Sequence, residues 1–389
     1  MKIAMIAPVP THPPNAGNRV RILGLAEMLR GLGHEVHFLH VPRWTGNDAQ
    51  MRTYWGSGFH ALTYAAPDRL SGLMGALAAT FRKFIGGPPR ALGIDAWYDR
   101  GIDAQVRAIQ AVERFDAVFV TYVFMSKVLQ QFGAGVLRVI DTQDVFTGRE
   151  ERLAARGGAS GFFSTSREEE HRGLERADVV MAIQEEEAVF FRSLTERAVV
   201  VVGHRVPAVF CGDVAGLPSS VLFLASRNPA NVDALQHFTA DILPHVRRDC
   251  PSALLLVAGT VCEALPPHAA YELLGAVAET ADAYRRARVV ICPIRQGTGL
   301  KVKLLEALAH GRPVVATHAA VAGLDVAGAG VHVAETDVDF AKQVVALLND
   351  PTLAEREAGA ARTFMSRYNA TCFTQLESIL NRAATRALA

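Results

Sequence analysis

The stretch "KIAMIAPVPTHPPNAGNRVRILGLAEMLRGLGHEVHFLHV", residues 2–41, decides how the N-terminal half of this chain folds. Its apolar pattern predicts a buried strand over residues 2–8, a loop rich in proline and glycine, a helix over residues 19–31 and a second strand over residues 35–41. A helix between two strands is the usual connection between parallel neighbours in a sheet. The stretch therefore predicts one strand–helix–strand crossover unit.

Apolar runs continue to alternate with helical patterns along the rest of the chain. "DAVFVTY", "VLRVID", "DVVMAIQ" and "AVVVVG" precede "CGDVAGLPSS", and "VLFLAS", "ALLLVAG", "VVICPI" and "PVVATH" follow it. This pattern is typical of parallel sheets covered by helices on both faces. We expect an α/β protein with two Rossmann-like, doubly wound domains facing across a cleft, over residues 1–210 and 211–370, and a final helix, 371–389, that returns to the first domain.

Composition excludes several classes of function. The chain has 389 residues, with 40 basic and 39 acidic side chains, so no overall charge favours nucleic acid. Its five cysteines are scattered and form neither a disulfide framework nor a zinc pattern. His34, His37 and His40 are spaced by three along a strand pattern, which sends successive side chains to opposite faces. We therefore predict no metal site.

The first residues begin directly with a strand pattern, so we expect no signal peptide and a cytoplasmic protein. The longest uncharged apolar stretch, residues 70–81, is shorter than the about 20 residues that span a bilayer. It belongs to "RLSGLMGALAATFRKFIGGPPR", residues 69–90, which favours a core or lid helix over a helix that docks peripherally on the inner face of a membrane.

A second motif, "GTGLKVKLLEALAHGRPVVAT" at residues 297–317, carries a candidate anion site. It follows the strand "VVICPI", and the pattern predicts a helix beginning at Leu300. Backbone N–H groups at Thr298, Gly299 and Leu300 would form a phosphate site. Lys301 and Lys303 oppose the helix dipole at this end unless an anion binds there. The alternative is that Lys303 and Glu306 form an ion pair on a solvated face.

With "RNPANVDALQHF" (residues 227–238) and "RADVVMAIQEEE" (residues 176–187), this motif resembles the family-four, or group 1, glycosyltransferases of GT-B fold. The resemblance implies transfer of a sugar from a nucleotide-diphosphate sugar to a hydroxyl of a saccharide or lipid-linked acceptor in glycan or glycoconjugate biosynthesis. It also implies retention of anomeric configuration and neither metal nor other cofactor.

The resemblance also assigns the donor site. Glu306 would accept hydrogen bonds from the ribose hydroxyls, the loop at residues 297–300 would hold the diphosphate through backbone amides, and Arg227 would neutralise phosphate. Gly17 would let the backbone approach the donor closely, or would simply be a turn residue. The expected donor-binding residues are Gly17, Arg227, Gly297, Thr298, Gly299, Leu300, Lys301, Lys303 and Glu306.

Three positions depart from the family pattern. Thr298 stands where many members have a glutamate. The lysine that usually follows the matched arginine is missing, so Lys301 or Lys303 would replace it. Thr121 and Tyr122 stand where a histidine often follows a strand of the first domain, which makes Tyr122 a candidate catalytic residue.

Two acidic residues after "VLRVID" are candidates on the acceptor side. Asp141 or Asp144 could orient or deprotonate an acceptor hydroxyl, although Asp141 could instead hold a loop, and we prefer Asp144. His12, in the first loop, could contact the leaving phosphate or the acceptor, or be a solvated loop histidine. The charged stretch "SREEEHRGLERAD", residues 166–178, predicts a solvated helix without a site.

Two other functions remain open on the same architecture. A nucleotide-sugar 2-epimerase would form product from the donor alone, and a non-catalytic sugar-nucleotide-binding protein would bind the donor without turnover. A nicotinamide dehydrogenase is excluded because neither glycine-bearing loop contains G-x-G-x-x-G.

Overall fold

The computed structural model describes residues 1–64, 91–154, 162–266, 271–277, 279–295 and 299–387. The chain divides into two compact units. The N-terminal unit contains Met1–His204 together with Cys372–Ala389, and the C-terminal unit contains Arg205–Thr371. The stretch at 69–90, with its possible membrane contact, lies outside the described residues.

A seven-stranded parallel sheet forms the centre of the N-terminal unit. Its strands are β1 (Lys2–Ala7), β2 (Glu35–His40), β3 (Phe59–Ala61), β4 (Ala117–Thr121), β5 (Leu137–Asp141), β6 (Val179–Ala182) and β7 (Ala198–Val201). They lie in the order β3-β2-β1-β4-β5-β6-β7. The described helices of this unit are α1 (Gly17–Gly31), α2 (Asp48–Trp55), α3 (Asp103–Glu113), α4 (Arg149–Ala154), α5 (Arg167–Leu174) and α6 (Glu185–Arg192).

A six-stranded parallel sheet forms the C-terminal unit in the same manner. Its strands are β8 (Ser220–Leu224), β9 (Leu254–Ala258), β10 (Tyr271–Gly275), β11 (Val289–Cys292), β12 (Val314–Thr317) and β13 (Val331–Ala334), in the order β10-β9-β8-β11-β12-β13. The described helices are α7 (Pro229–His237), α8 (Leu243–Asp249), α9 (Thr280–Arg285), α10 (Val302–Ala309), α11 (His318–Val321), α12 (Asp337–Asn349) and α13 (Pro351–Ala387), which ends in the N-terminal unit.

Both sheets have the doubly wound strand order in which the chain reverses direction beside its first strand. That reversal lies between β1 and β4 in one unit and between β8 and β11 in the other. Ligands of open α/β sheets bind beyond the carboxyl ends of strands at such a point. The expected α/β class with two Rossmann-like domains is confirmed, and the loops that carry the candidate residues follow these four strands and β5.

The strands form because their side chains are apolar on both faces. In β4 all five residues are buried, and in β11 all four are. Strands covered on both faces read as continuous apolar runs, and these are the runs that the sequence pattern identified. Among the described residues, no helix is both long enough and apolar enough to cross a bilayer.

Candidate active site

The helix of the anion motif begins two residues later than expected. Gly299 has a positive φ of 72°, a conformation that suits glycine. Lys301 is the N-cap, so α10 begins at Val302 and not at Leu300. Lys301 therefore precedes the first helical turn, and its backbone is not helical. Its ammonium turns back and donates to the carbonyl oxygen of Gly299 at 2.7 Å.

Lys303 extends from the first turn of α10 towards a different helix. Its ammonium donates a hydrogen bond to Oδ1 of Asn231, in the first turn of α7. Asn231 is buried, and its amide nitrogen donates to the carbonyl oxygen of Ser226 at 2.7 Å. Burial lowers the pKa of Lys303. The lysine therefore places a partly buried positive charge between two helix N-termini.

Glu306 lies one turn further along α10 and is also partly buried. Burial raises the pKa of its carboxyl group, while the charge of Lys303 acts in the opposite direction. A solvated face formed by Lys303 and Glu306 does not describe this arrangement, because neither side chain is exposed and the Lys303 ammonium is bonded to Asn231. The helix therefore carries two partly buried charges of opposite sign at its first turns.

Arg227 follows β8 at the start of α7 and is exposed. Its guanidinium lies 3.4 Å from a carboxylate oxygen of Glu263, and both side chains are more than half exposed. Exposed pairs of this kind contribute little to stability, so the guanidinium can exchange this partner for a ligand. Leu300 packs against the C-terminal core. Gly297 and Thr298 lie outside the described residues.

The loop after β1 places His12 and Gly17 near the start of α1. Nδ1 of His12 lies 3.0 Å from Oγ1 of Thr11, and its ring lies 5.0 Å from that of Tyr54. Burial lowers the pKa of His12, so the ring is neutral at neutral pH. Gly17 is the first residue of α1, and a Cβ atom there would meet nothing within 4 Å. Neither packing nor a positive φ requires glycine at that position.

Tyr122 ends β4 in a strained conformation, with a φ of 73°. Its hydroxyl accepts a hydrogen bond from Nδ2 of Asn18 at 3.0 Å, which links the end of β4 to the start of α1. Burial raises the pKa of Tyr122 to about 12. The phenol therefore keeps its proton at neutral pH and can donate a hydrogen bond, although it cannot serve as a base.

Asp141 and Asp144 have different surroundings. Oδ1 of Asp141 accepts from Nε and Nη2 of Arg21 at 2.9 and 2.7 Å, and both side chains are almost completely buried. Arg21 also donates to the carbonyl oxygens of Gly203 and Val202. These contacts favour the alternative in which Asp141 holds the fold. Asp144 is 23% exposed and pairs with Nε of Arg149 at 2.8 Å.

Glu170 fixes the loop that carries Asp144, and the sequence analysis missed it. The stretch at 166–178 was expected to be solvated, yet Glu170 is fully buried in α5. Its carboxylate accepts hydrogen bonds from the amide nitrogens of Phe146 and Thr147 at 3.0 and 2.7 Å. No signal in the local sequence distinguishes Glu170 from its exposed neighbour Glu168, because burial here depends on a loop twenty residues away.

One group of potential metal ligands lies apart from these residues. His37, His60 and Glu113 bring ligand atoms within 4.8 Å of one another. However, the ammonium of Lys2 lies 2.9 Å from the carboxylate of Glu113 and 3.4 Å from that of Glu35. This positive charge already balances the carboxylates and would repel a metal ion, so we assign no site there.

Residues 218–350, which span the strands and helices from β8 to α12, match the family model described as "Glycosyl transferases group 1". The matched residues lie within the C-terminal unit. The resemblance given by the anion motif is therefore confirmed. No curated protein matches the chain.

Solved structures confirm the GT-B fold over the whole length of the chain. Sucrose-phosphate synthase from Thermosynechococcus elongatus is 16% identical with a TM-score of 0.61, and the match covers 99% of this chain and 100% of that chain. Anabaena HepE, solved with UDP and glucose, is 14% identical with a TM-score of 0.64 over 98% and 99%. A mutant of S. aureus TarM, solved with UDP and two saccharide-type ligands, is 9% identical with a TM-score of 0.64 over 99% of each chain.

Proposed function

We propose that this glycosyltransferase moves a sugar from a nucleotide-diphosphate sugar to an acceptor hydroxyl, with retention of anomeric configuration and without a metal ion. The observation that carries the proposal is the pair of partly buried charges on α10, where Lys303 reaches Asn231 and Glu306 follows one turn later. Buried charges are costly unless they are paired or serve a ligand. A nucleoside diphosphate offers phosphate oxygens to the first and ribose hydroxyls to the second.

Four groups would hold the diphosphate. The N-terminus of α10 supplies partial positive charge, and Lys301 is its N-cap; the backbone amides of the loop at residues 297–300 would add to it. Arg227 would exchange Glu263 for a phosphate oxygen. Because these groups provide fixed positive potential, the departing diphosphate could be stabilised without a divalent cation. HepE has been solved in complex with UDP and with UDP-glucose, which supports a nucleotide sugar as the donor here.

Lys303 would take the place of the lysine that "NPANVDALQ" lacks. The family lysine follows the matched arginine within the helix that corresponds to α7. Here Lys303 comes from α10, but its ammonium contacts Asn231 in the first turn of α7. The positive charge therefore reaches the same helix from another segment of the chain.

On the acceptor side, we propose that Asp144 orients the attacking hydroxyl. Its carboxylate is partly exposed, whereas Asp141 is engaged by Arg21. In the retaining reaction, the bond between the anomeric carbon and the phosphate oxygen breaks, the acceptor oxygen bonds to the same face, and its proton passes to the departing phosphate oxygen. His12 and Tyr122 would donate or accept hydrogen bonds near that phosphate.

A donor screen followed by product analysis tests this function. The full-length protein is mixed with UDP-, GDP-, ADP- and dTDP-sugars, and thermal shift identifies the donor. Release of nucleoside diphosphate with an acceptor, in the presence of a chelator, then tests transfer without a metal, and NMR of the product gives the anomeric configuration. We expect one donor to raise the melting temperature, chelator-resistant transfer and a retained anomer.

Each contrary result has its own meaning. Product formed from the donor alone would indicate an epimerase, and a thermal shift without turnover on any acceptor would indicate a sugar-nucleotide-binding protein. Loss of activity with chelator would remove metal independence. If no nucleotide sugar shifts the melting temperature, the donor assignment of α10 is wrong.

A further inference from the structure

Glu187 lies beside the acceptor-side acids Asp141 and Asp144 and has no role in the proposed transfer reaction. It belongs to the first turn of α6, directly after β6. Because Asp141 pairs in register with Met181 of β6, the carboxyl ends of β5 and β6 are adjacent. The charges of Asp144 and Asp141 both act on Glu187. The side chain therefore faces the same edge of the sheet as Asp144.

The burial of Glu187 sets it apart from its neighbours in the sequence. In the run of three glutamates that begins α6, Glu185 and Glu186 are exposed, whereas Glu187 is only 6% exposed. Its Oε2 is buried without a hydrogen-bond partner, and so is Oε1 of the preceding Gln184. The two side chains meet through Nε2 of Gln184 and Oε1 of Glu187, 3.4 Å apart. Two acceptor atoms therefore lie unsatisfied at one place.

Orphaned polar atoms of this kind require an explanation, because each buried atom without a partner costs about 1 to 3 kcal/mol in mutational data. Glu170 provides the contrast. It is buried in the same unit and near the same aspartate, but loop amides satisfy its oxygens. Glu170 therefore has a structural explanation, whereas Glu187 lacks its partner.

The chemistry of the pair suits a hydroxyl group. Burial, reinforced by the charge of Asp144, raises the pKa of Glu187 to about 7. The carboxyl group therefore carries a proton for much of the time at neutral pH and can donate a hydrogen bond, while the carbonyl oxygen of Gln184 can only accept one. A hydroxyl both donates and accepts, so one hydroxyl group satisfies both residues at once.

We propose that Glu187 and Gln184 form a binding site for one hydroxyl group of a polyhydroxylated acceptor, with Glu187 as a specificity-determining residue. This rests on the proposed function, because it names the acceptor class and the subsite that selects it. The backbone supports the placement. Tyr122 and Gln143 follow β4 and β5 at this edge of the sheet with φ values of 73° and 62°, and strained backbone of this kind clusters at ligand sites.

A thermodynamic cycle between protein and ligand tests the proposal. The probes are the methyl glycosides of glucose, galactose, mannose and N-acetylglucosamine, and binding to the full-length protein is measured by saturation-transfer NMR. Each deoxy analogue of the tightest-binding glycoside is then titrated against wild type, Glu187→Ala, Glu187→Gln and the exposed control Glu186→Gln. Thermal shift with UDP-glucose is recorded for every variant.

We expect one deoxy analogue to bind wild type about tenfold more weakly than its parent, as loss of one hydrogen bond to a buried group requires. Glu187→Ala should lose the same factor for the parent glycoside and nothing further for that analogue, which is the non-additivity of groups in contact. Glu186→Gln should match wild type.

The donor measurements separate the two proposals. An unchanged shift with UDP-glucose in Glu187→Ala shows that the fold and the donor site are intact. If no nucleotide sugar raises the melting temperature of wild type, the proposed transferase function is contradicted. The binding measurements with the glycosides still test Glu187 in that case. If every deoxy analogue behaves additively with Glu187→Ala, or if no glycoside binds wild type, the pair holds only buried water and the proposal is overturned.

Discussion

The two Rossmann-like units share a strand order but distribute their charges differently. In the C-terminal unit, Lys303 and Glu306 lie within one turn of each other on α10, and Lys303 donates a hydrogen bond to Asn231 of α7. In the N-terminal unit, Asp141 is surrounded by Arg21 from α1 and Gln143 from its own loop. From this contrast we predict that completely paired buried charges hold the fold, whereas incompletely paired ones serve a ligand.

Asp141→Ala should have the largest effect on the free energy of unfolding. The substitution leaves the guanidinium of Arg21 buried without a counter-charge, so the free energy of unfolding should fall by about 3 to 5 kcal/mol. Urea denaturation measures it. The control, Asp144→Ala, removes a partly exposed ion pair and should cost less than about 1 kcal/mol. Equal costs for the two variants would show that Asp141 is not the structural member.

Glu187→Gln should change how stability depends on pH. The pKa of Glu187 is raised to about 7 from 4.5, so the folded state holds a proton that the unfolded state releases between these values. Its contribution to stability is present below pH about 4.5 and is lost as the pH rises through about 7, by up to about 3 kcal/mol.

Relative to wild type, Glu187→Gln should therefore gain stability as the pH rises over that window. Denaturation at a series of pH values, with Glu186→Gln as the exposed control, measures the difference. A difference that stays constant with pH would mean that Glu187 has the same pKa in the folded and unfolded states.

Glu306→Gln and Lys303→Ala test whether the two charges on α10 bind the nucleotide sugar. Removing either charge should weaken binding of the nucleotide sugar about 10- to 150-fold, since hydrogen bonds to charged groups contribute about 1.5 to 3 kcal/mol. Calorimetric titration with the donor that wins the screen measures the loss. Lys342→Ala, an exposed lysine of the same unit, should bind normally. Donor affinity that survives both substitutions would remove α10 from the site.

Arg227→Ala should have the smallest effect. The exposed guanidinium meets phosphate in water, so we expect donor affinity to fall about tenfold and to become less sensitive to salt. Titrations at low and high ionic strength compare it with Arg286→Ala, an exposed arginine that also pairs with a glutamate, Glu272. If both variants behave alike, Arg227 contributes only general surface charge.

Central strands and the edge strand β7 could be predicted from apolar runs, whereas the other three edge strands could not. The pattern predicted residues 2–8 and 35–41 where the structure has β1 (Lys2–Ala7) and β2 (Glu35–His40). β3, β10 and β13 were absent from the apolar runs. These three strands lie at sheet edges. They are short and partly exposed, so these three strands lack a continuous apolar run.

The anion motif could be recognised from the sequence because its residues are close together along the chain. Glycine, lysine and glutamate within ten residues carry their spacing in the sequence itself, and the helix boundary was wrong by only two residues. The hydrogen-bond partner of Lys303 could not be predicted from the sequence, because Asn231 lies 72 residues earlier. Glu170 and Glu187 were missed for the same reason, since each resembles the exposed glutamates next to it.

The sequence alone determined the α/β class, the two Rossmann-like units and the helix of the anion motif, because apolar periodicity and short-range motifs are local properties. Only the tertiary structure decided which carboxylates are paired. Burial and hydrogen-bond partners come from segments that meet across the sheet, and those meetings separate a structural Asp141 from a partly exposed Asp144 and a buried, unsatisfied Glu187.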